Sequence, residues 1–353
     1  MLVVAALGGN ALLKRGEPLT AEAQRQNVQV AAAALAAIVK AGHRLVVTHG
    51  NGPQVGLLAL QGAAYRPNEA YPLDVLGAET EGMIGYMIEQ ELENALGHDR
   101  PVATLLTQVV VDSRDPAFAK PTKFVGPVYE KDEAEARATA AGWTIAADGD
   151  KWRRVVPSPK PVEIPDLKVL QLLLDQGVIV ICTGGGGIPV VRRDDGSLIG
   201  VEAVIDKDAA SALLARQLGA DALLLLTDVD AVYRDFGSDS AAPIPKLTTE
   251  EARALGVPAG SMGPKVAAAG NFAECGGFSG IGRLEDAVAI LNGRAGTRVA
   301  EDYPGTHSSR SRNSSAIEAA MSEDTSKPIY PQPARAVKQG PDALADLVAQ
   351  QPG

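Results

Sequence analysis

The sequence predicts an α/β protein with a mainly parallel central sheet. Apolar runs typical of buried strands, such as residues 2–7, 44–48 and 222–226, alternate with segments in which apolar residues recur at helical spacing. Several of these runs end directly in glycine, the first of them at Gly8 and Gly9. Strands that alternate with helices pair in parallel, and sites in such proteins lie beyond the carboxyl ends of the strands. We therefore expect the glycine-rich turns to form the functional edge of the sheet.

The individual elements follow from the spacing of apolar residues along the chain. Continuous apolar runs predict strands that are buried on both faces, and helical recurrence predicts helices that pack on the sheet. Strands are expected at residues 2–7, 44–48, 102–111, 178–182, 222–226 and, at an edge, 297–299. Helices are expected at residues 21–40, 55–64, 78–96, 167–176, 208–218, 249–255, 265–275 and 284–291.

The composition of the 353-residue chain argues against several classes of protein. The formal net charge of −10 argues against a nucleic-acid partner, because binding to a phosphate backbone requires clustered Lys and Arg. The two cysteines, Cys182 and Cys275, form neither a disulfide framework nor a metal-ligand spacing, which is typical of a cytoplasmic protein. The apolar start lacks the basic flank of a signal peptide, and no apolar run is long enough to cross a membrane. We expect a cytoplasmic protein with no membrane partner and no metal site of its own.

The composition changes at residue 113 and again after residue 299. Residues 113–165 combine many prolines with both tryptophans and the basic pair Arg153 and Arg154, so we predict a protruding subdomain inserted into a main domain at residues 1–299. An ordinary surface excursion is the alternative interpretation. Serine, proline and glycine dominate residues 300–353, and we expect a flexible C-terminal tail there.

A glycine turn at residues 184–187 and the segment after it organise the predicted site. Residues without a Cβ let the backbone approach an anion and aim amides at its oxygen atoms, so Gly184 and Gly185 are predicted to bind nucleotide phosphates. Lys207 and Asp208 start a predicted helix, where the helix dipole disfavours a cation unless it serves an anion. A transferring phosphoryl group is our hypothesis for that anion. In the alternative interpretation, the aspartates beside Lys207 cap the helix and Lys207 is a solvated surface residue.

Two further segments supply candidate nucleotide-binding residues. Asp228 follows a predicted strand, and Tyr233 nearby offers an aromatic face to a base. Turn-forming aspartates beside a half-buried tyrosine are the alternative interpretation. Lys265 follows Gly-Ser-Met-Gly-Pro at the start of a helix, which predicts a second anion-binding helix end. His49, in the turn after the second strand, is either an acid–base group or a partner of the backbone.

Together these segments are typical of phosphoryl transfer. Lys123, Lys207 and Lys265 can converge on one group, and no histidine or cysteine nucleophile is implied. Catalysis of phosphoryl transfer depends on positioning and electrostatic stabilisation, which lysines and glycine turns supply. The sequence contains no Gly-Lys dipeptide and therefore no P-loop.

Six segments carry a resemblance to a known family. They are Leu-Gly-Gly-Asn-Ala at 7–11, Thr-His-Gly-Asn-Gly-Pro-Gln-Val-Gly at 48–56, Pro-Thr-Lys-Phe-Val-Gly-Pro at 121–127, Cys-Thr-Gly-Gly-Gly-Gly at 182–187, Val-Ile-Asp-Lys-Asp at 204–208 and Gly-Ser-Met-Gly-Pro-Lys at 260–265. Their order resembles that of the carbamate kinases, which belong to the amino acid kinase superfamily. Over residues 1–299 the resemblance implies an open αβα sandwich and a homodimer. It also implies Mg²⁺-dependent, reversible phosphoryl transfer between ATP/ADP and carbamate/carbamoyl phosphate, used to make ATP in arginine catabolism.

The resemblance also assigns roles to individual residues. Lys123 and Lys207 would neutralise the charge of the transferred phosphoryl group, and Asp208 would hold the lysines in position. The residues placed around the phosphoryl group are Gly8, Gly9, Asn10, Gly50 and Asn51. The residues placed along the nucleotide are Lys265, Asp228 and Tyr233.

Two positions bear on the choice within the superfamily. Many relatives with other substrates carry a lysine two residues before the first Gly-Gly, where this chain has Ala6, and its absence favours the carbamate branch. Glu81 stands where the resemblance leads us to expect glutamine, which places an additional charge near the substrate. Two alternatives stay open: an acetylglutamate- or aspartate-type kinase, and a non-catalytic nucleotide-binding regulatory module.

Overall fold

The described part of the chain folds around one large sheet. The computed structural model describes residues 1–14, 16–65, 71–257 and 262–303. Most of the tail expected at residues 300–353 therefore lies outside the described residues. The same holds for residues 258–261, which include the first two residues of the motif that ends at Lys265.

Strands and helices alternate in the described residues, with a strand-rich stretch between residues 102 and 163. The strands are β1 (Leu2–Leu7), β2 (Arg44–His49), β3 (Val102–Thr104), β4 (Gln108–Val111), β5 (Lys123–Tyr129), β6 (Thr144–Asp148), β7 (Lys151–Val156), β8 (Pro161–Glu163), β9 (Ile179–Ile181), β10 (Ile188–Arg192), β11 (Leu198–Gly200), β12 (Ala222–Thr227), β13 (Val232–Arg234), β14 (Ala242–Ile244), β15 (Lys246–Thr248), β16 (Phe278–Arg283) and β17 (Thr297–Ala300). The helices are α1 (Ala21–Lys40), α2 (Gly52–Tyr65), α3 (Leu73–Leu96), α4 (Lys131–Ala141), α5 (Leu167–Asp175), α6 (Lys207–Gln217), α7 (Thr249–Ala254), α8 (Met262–Ala273) and α9 (Ala287–Leu291). None of the described helices combines the length and the apolar character needed to cross a bilayer.

Eight of the described strands form the central sheet, in the order β15-β17-β16-β12-β1-β2-β9-β3. Neighbouring strands pair in parallel, except β16 and β17, which are antiparallel. The predicted fold class, α/β with a mainly parallel sheet, is therefore confirmed.

Strand β1 illustrates how helices cover both faces of the sheet. All of its residues are buried, and alternate side chains point to opposite faces. Leu2 and Val4 pack with apolar residues of α5, α6 and α8, whereas Val3 and Ala5 pack with those of α1, α3 and α9. Burial of one aliphatic side chain contributes roughly 1.5–3 kcal/mol, so the two layers provide much of the stability. This is the open αβα sandwich that the resemblance implies.

The parallel register brings the ends of three strands to one edge of the sheet. Leu7 at the end of β1 lies beside His49 of β2 and Leu226 of β12. The backbone N–H of Gly8 donates to the carbonyl oxygen of Leu226 at 2.9 Å, and that of Gly50 donates to Leu7 at 3.2 Å. Glycine turns that are distant in the sequence therefore lie next to each other.

The expected strand at residues 102–111 is wrong in its extent. It divides into β3, which belongs to the central sheet, and β4, which pairs with β10 and β8 in a four-stranded sheet. Between the two strands Thr107 is buried, and its backbone N–H donates to the carboxyl group of Glu81 at 3.1 Å. The residues at the break include Leu105 and the exposed Leu106, so the apolar pattern continues through it and hydropathy does not reveal it.

Residues 123–156 form a separate antiparallel sheet, β5-β7-β6, against which α4 packs. This subdomain meets α2 where Gly56 and Gly126 touch, because a Cβ on Gly56 would overlap the Cα of Gly126. Val125 of the subdomain is buried beside Val55 in a small apolar cluster at the same contact. Only glycine permits so close an approach of the two backbones.

We expect Gly56→Ala to loosen this contact, because the added methyl group meets backbone that cannot rotate away. Overpacking of this kind typically costs about 1–3 kcal/mol of unfolding free energy. Gly62→Ala in the same helix is the matched control, since nothing lies within 4 Å of that position. Alanine in a helix interior gains up to about 1 kcal/mol over glycine there.

Urea unfolding and amide hydrogen exchange measure the two variants. Gly56→Ala should unfold at lower urea and exchange faster in β5 and β7, while Gly62→Ala should match or exceed the wild type. Equal exchange of β5 and β7 in both variants would contradict the importance of the Gly56–Gly126 contact.

Candidate active site

Gly50 lies beside the side chain of Lys207 and next to Gly9, at the carboxyl ends of β2 and β1. A Cβ on Gly50 would lie 3.3 Å from Cδ of Lys207 and 3.6 Å from Cα of Gly9. Gly8 is confined in the same way, because a Cβ there would lie 2.9 Å from the carbonyl oxygen of Leu226. Three of the predicted phosphoryl-binding residues therefore share one edge with the predicted catalytic lysine.

Helix α6 begins with a capped N-terminus that brings Lys207 to this edge. Oδ1 of Asp206 accepts hydrogen bonds from the backbone N–H groups of Asp208 at 3.0 Å and Ala209 at 3.1 Å. Such a cap satisfies donors that the first helical turn leaves without intrahelical partners. Capping by Asp206, one part of the alternative interpretation, is thus present. Lys207, however, is not a solvated surface residue, since only 16% of its side chain is exposed.

Asp208 binds two lysines with its two carboxyl oxygens. Nζ of Lys207 lies 2.6 Å from Oδ1, and Nζ of Lys265 lies 3.2 Å from Oδ2. The side chains of Asp208 and Lys265 are only 5% and 8% exposed. One largely buried cation and one buried cation therefore share this carboxylate, and an incoming anion would favour both in their charged form.

The pKa of Lys207 reflects this environment. Burial lowers the pKa below the ordinary lysine value, the carboxylate of Asp208 acts in the opposite direction, and the charge of Lys265 lowers the pKa further. An anion bound at this place would raise the pKa again, because an opposite charge favours the charged form. The electrostatics of Lys207 therefore favour binding of an anionic ligand.

Lys123, from the antiparallel subdomain, reaches the start of the same helix. Its Nζ lies 2.9 Å from Oδ2 of Asp206, and the two side chains are 36% and 27% exposed. Burial raises the pKa of Asp206, but Lys123 and the hydrogen bond from the N–H of Ala209 together bring it below its ordinary value. Asp206 thus connects the subdomain to the helix that carries Lys207 and Asp208. Sequence reasoning considered Asp206 only as a cap, because its ion pair joins residues far apart in the chain.

A cleft with a volume of about 480 Å³ opens beyond Lys265 at the end of β12. Asp228 and Tyr233 line it together with Lys265. The hydroxyl of Tyr233 donates to Asp230 at 3.1 Å, and its ring packs edge-on against Phe236 with ring centroids 6.1 Å apart. The structure therefore brings together three of the predicted nucleotide-binding residues. It adds the exposed ring of Phe236, which sequence reasoning missed because a single aromatic residue in a turn gives no periodic signal.

Most backbone amides of the glycine turn at residues 184–187 donate hydrogen bonds within the protein. Three of its N–H groups donate within the protein, to Glu81 and to the carbonyl oxygens of Thr183 and Gly184. Gly184 and Gly185 do not line the cleft at the end of β12, since two strands separate β9 from β12. The N–H of Gly184 is thus engaged by Glu81, and the assignment of Gly184 and Gly185 to nucleotide phosphates stays a prediction.

The turn also shapes the surroundings of Asn51. A Cβ on Gly185 would overlap the side-chain amide of Asn51, and the φ of +67° at Gly185 also favours glycine. Nδ2 of Asn51 donates to Oγ1 of Thr80 at 2.9 Å, which fixes the amide from a second side. Asn10, the other predicted asparagine, belongs to the 3₁₀ turn Gly9–Ala11 after β1.

His49 is a partner of the backbone. Its ring is buried, and Nδ1 donates to the carbonyl oxygen of Gly50 at 3.1 Å. Burial lowers the pKa of His49 to about 4, so the ring is neutral at pH 7. Nε2 has no hydrogen-bond partner within the part of the chain that the structure describes. This geometry favours the structural interpretation over acid–base catalysis.

Comparison with known proteins decides the family. The sequence matches the amino acid kinase family over residues 1–279. It is 57% identical over 306 residues to a carbamate kinase of Rhizobium meliloti, covering 86% of this chain and 94% of the relative. It is 56% identical over 306 residues to a carbamate kinase of Haemophilus influenzae, covering 86% and 98%. The structure is similar to that of carbamate kinase from Giardia lamblia bound to AMP-PNP, with a TM-score of 0.79, 43% identity and coverage of 85% and 98%. This chain belongs to the amino acid kinase family.

Membership of the amino acid kinase family makes the chain a phosphotransferase with carbamate kinases as its relatives, which confirms the family expected from the six motifs. The family match at residues 1–279 spans every predicted site residue from Gly8 to Lys265. The alignments with the two carbamate kinases cover 94% and 98% of those relatives, so the similarity extends over nearly their whole length.

Carboxylates are the groups of this site that could hold a magnesium ion. Among the described residues, no group of three or more His, Cys, Asp and Glu side chains is arranged to hold a metal ion. Both carboxyl oxygens of Asp208 are engaged by lysines. Mg²⁺ is commonly held by one or two carboxylates together with substrate phosphates and water. An ion that enters with the nucleotide therefore fits these residues better than a resident ion.

We expect Asp206→Asn and Asp206→Ala to separate the two functions of this carboxylate. Asparagine retains the oxygen that caps α6 but cannot accept from Lys123 as a carboxylate does, whereas alanine removes both contacts. The partly exposed ion pair contributes about 0–1 kcal/mol, and loss of the cap costs about 0.5–2 kcal/mol.

Denaturant unfolding should therefore show a larger loss of stability for Asp206→Ala than for Asp206→Asn. Amide hydrogen exchange at β5 should increase equally in both variants, because both lose the contact with Lys123. Equal losses of stability in the two variants would contradict the capping role, and unchanged exchange would contradict the connection to the subdomain.

Proposed function

We propose that this amino acid kinase is a carbamate kinase that transfers a phosphoryl group reversibly between ATP/ADP and carbamate/carbamoyl phosphate. The observation that carries the proposal is the pairing of Lys207 and Lys265 with the single carboxylate of Asp208, beside Gly9 and Gly50. The positive charge of the two lysines suits a phosphoryl group that passes between two anionic partners. The carbamate kinases that are 57% and 56% identical to this chain support the choice of substrate.

In the proposed reaction Lys207 lies against the transferring phosphoryl group, with the backbone of Gly9 and Gly50 beside it. Catalysis of this transfer consists mainly of stabilising charge on the phosphoryl oxygens at fixed positions. Asp208 holds both lysines before substrate arrives, so little reorganisation is needed. Lys265 both contacts Asp208 and lines the cleft, which supports a role at the nucleotide phosphates.

The cleft beyond Lys265 is the proposed nucleotide site. Its volume of about 480 Å³ falls within the range of about 300–1,000 Å³ typical of small-molecule sites. Tyr233 and Phe236 supply aromatic surface for a base, and Asp228 supplies a carboxylate at the end of β12. The similarity to a carbamate kinase bound to AMP-PNP supports a nucleotide as occupant.

Mg²⁺ belongs to the proposal as part of the nucleotide substrate. When bound, it would neutralise part of the charge of the nucleotide phosphates. Asp228 is the residue of the cleft that we assign to its coordination shell, directly or through water. The lysines on Asp208 would neutralise the remaining charge.

Lys123 is proposed as the third cation of the site. The first strand supplies none, because Ala6 stands where many relatives with other substrates have lysine. In the described state Lys123 pairs with Asp206, and the phosphoryl group would compete with Asp206 for this lysine. The subdomain at residues 113–165 would then act as a lid that delivers Lys123 when substrate is bound.

Several further features are inferred from the sequence and from the resemblance. We propose a main domain at residues 1–299 that carries the subdomain at 113–165, and most of the tail expected at 300–353 lies outside the described residues. We also propose a cytoplasmic homodimer that makes ATP in arginine catabolism.

The proposed function is tested by measuring ATP formation from ADP and carbamoyl phosphate in the presence of Mg²⁺. The wild-type chain should form ATP, and Lys207→Ala should fold normally but turn over about a hundred- to a thousandfold more slowly. Lys168→Ala is the matched control, because it removes an exposed lysine of α5 outside the site. Lys207→Ala with wild-type turnover would contradict the assignment of Lys207.

The same assay separates the alternatives. ATP formation from ADP only with the acyl phosphate of acetylglutamate or of aspartate would favour an acetylglutamate- or aspartate-type kinase. Tight nucleotide binding without turnover on any carbamoyl or acyl phosphate would favour the regulatory module.

Lys123→Ala and Lys265→Ala should have different kinetic effects. If Lys123 contacts the phosphoryl group only in the closed enzyme, Lys123→Ala lowers kcat and leaves ADP affinity almost unchanged. Lys265→Ala should weaken ADP binding, because it removes a cation at the nucleotide phosphates. Lys131→Ala, an exposed lysine of the same subdomain, is the control. A normal kcat for Lys123→Ala would contradict the delivery of Lys123.

A further inference from the structure

The carboxyl group of Glu81 is buried behind the glycine turn. Its Oε1 accepts the backbone N–H of Gly184 at 2.6 Å, and its Oε2 accepts that of Thr107 at 3.1 Å. Oγ1 of Thr107 in turn accepts the N–H of Thr183 at 3.1 Å. Glu81 itself is completely buried. One side chain of α3 therefore ties the break between β3 and β4 to the start of the glycine turn.

The tied turn supports a residue of the proposed phosphoryl site. Gly185, directly after Gly184, leaves no room for a Cβ against the amide of Asn51. Asn51 also donates to Thr80, which precedes Glu81 on α3. Helix α3 therefore fixes Asn51 twice, directly through Thr80 and indirectly through Glu81 and the turn.

We propose that Glu81 is a positioning residue of this active site: its carboxyl group holds the turn at residues 184–187 in place and thereby fixes Asn51 for phosphoryl transfer. The catalytic part of this inference rests on the proposed function. The contact between Glu81 and the turn does not, and it has a test of its own. Glu81 acts through the turn, because it has no exposed surface with which to touch a substrate.

Glutamine, the residue expected at this position, cannot make both contacts. Its side-chain oxygen can accept one backbone N–H, but its amide nitrogen carries hydrogens and would face the second donor. Either Gly184 or Thr107 would then keep a buried N–H without an acceptor, which is more costly than the loss of an exposed hydrogen bond. Glu81→Gln therefore tests the two hydrogen bonds directly, because it retains the size and shape of the Glu81 side chain.

The groups around Glu81 determine when it carries a charge. The titratable groups that face it are His49 across Gly184, Cys182 at the end of β9, and Asp166 before α5. Burial raises the pKa of Glu81 from 4.5 to about 8, its two backbone hydrogen bonds oppose this, and Asp166 adds to it. Glu81 is therefore neutral at pH 7 and becomes a buried anion as the pH rises through about 8.

Ionisation of Glu81 has two consequences with a definite sign. The folded chain keeps a proton between pH 4.5 and about 8 that the unfolded chain releases, so rising pH across this window lowers the stability contributed by this group. Above that window the charge lies behind the proposed phosphoryl site and repels an anionic substrate. The KM for carbamoyl phosphate should therefore rise above about pH 8.

The experiment compares wild type, Glu81→Gln and the matched control Glu79→Gln, which changes an exposed carboxylate two residues away on the same helix. Amide hydrogen exchange of residues 183–187 should accelerate about tenfold or more in Glu81→Gln and remain unchanged in Glu79→Gln. At pH 7 the kcat for ATP formation should fall about tenfold in Glu81→Gln while the KM for ADP stays constant. Only Glu81→Gln should lose the rise in KM for carbamoyl phosphate at alkaline pH.

Glu81→Asp distinguishes the effect of side-chain length from the effect of the carboxyl charge. The shorter side chain keeps a titrating carboxyl group but cannot span both amides, so the turn should exchange faster while a pH dependence of KM remains. Unchanged exchange in Glu81→Gln and Glu81→Asp would overturn the proposal, and so would faster exchange with unchanged kcat. If the wild-type chain forms no ATP, the proposed function fails and the exchange of residues 183–187 alone decides whether Glu81 holds the turn.

Discussion

The contact of two lysines with the carboxylate of Asp208 is the interaction on which the rest of the site depends. Lys207 and Lys265 repel each other, and the charge of Lys265 lowers the pKa of Lys207. Lys207 and Lys265 come from different helices, α6 and α8, which pack side by side on one face of the sheet. Asp208 offsets their repulsion without cancelling their charge. The fold therefore holds positive charge in place before an anion is present.

The parallel sheet imposes a second constraint. Its strand register determines which backbone segments lie close to Lys207 and Lys265. Strands β1, β2 and β12 end at the same level, where a Cβ on Gly8 would lie 2.9 Å from the carbonyl oxygen of Leu226 and a Cβ on Gly50 would lie 3.3 Å from the side chain of Lys207. A site wall made of backbone is stiff, since it has no rotamers to change. Positioning, which is most of what phosphoryl transfer requires, thus follows from strand register together with glycine.

The sequence predicted the features that depend on local pattern. Apolar runs located six strands of the central sheet but not β15 and β16, and the positions of Lys207 and Asp208 at a helix start indicated an anion site. The features that it missed depend on contacts between distant segments. Asp206 binds Lys123 across 83 residues, and the glycine turn gives its first amide to Glu81 across 103 residues. No local signal distinguishes an amide that is free for a ligand from one that a buried carboxyl group already holds.

Glu81 and His49 show how the protein keeps the other side of this site uncharged. Both flank Gly184, since a Cβ there would overlap the imidazole ring and lie 2.9 Å from Cγ of Glu81. Burial shifts their pKa values in opposite directions, to about 8 for the acid and about 4 for the base, so neither is charged at pH 7. A charged His49 would add to the repulsion among the lysines, and an ionised Glu81 would compete with the substrate for them. Because His49 and Glu81 are neutral, Lys207 and Lys265 stay available to an incoming anion.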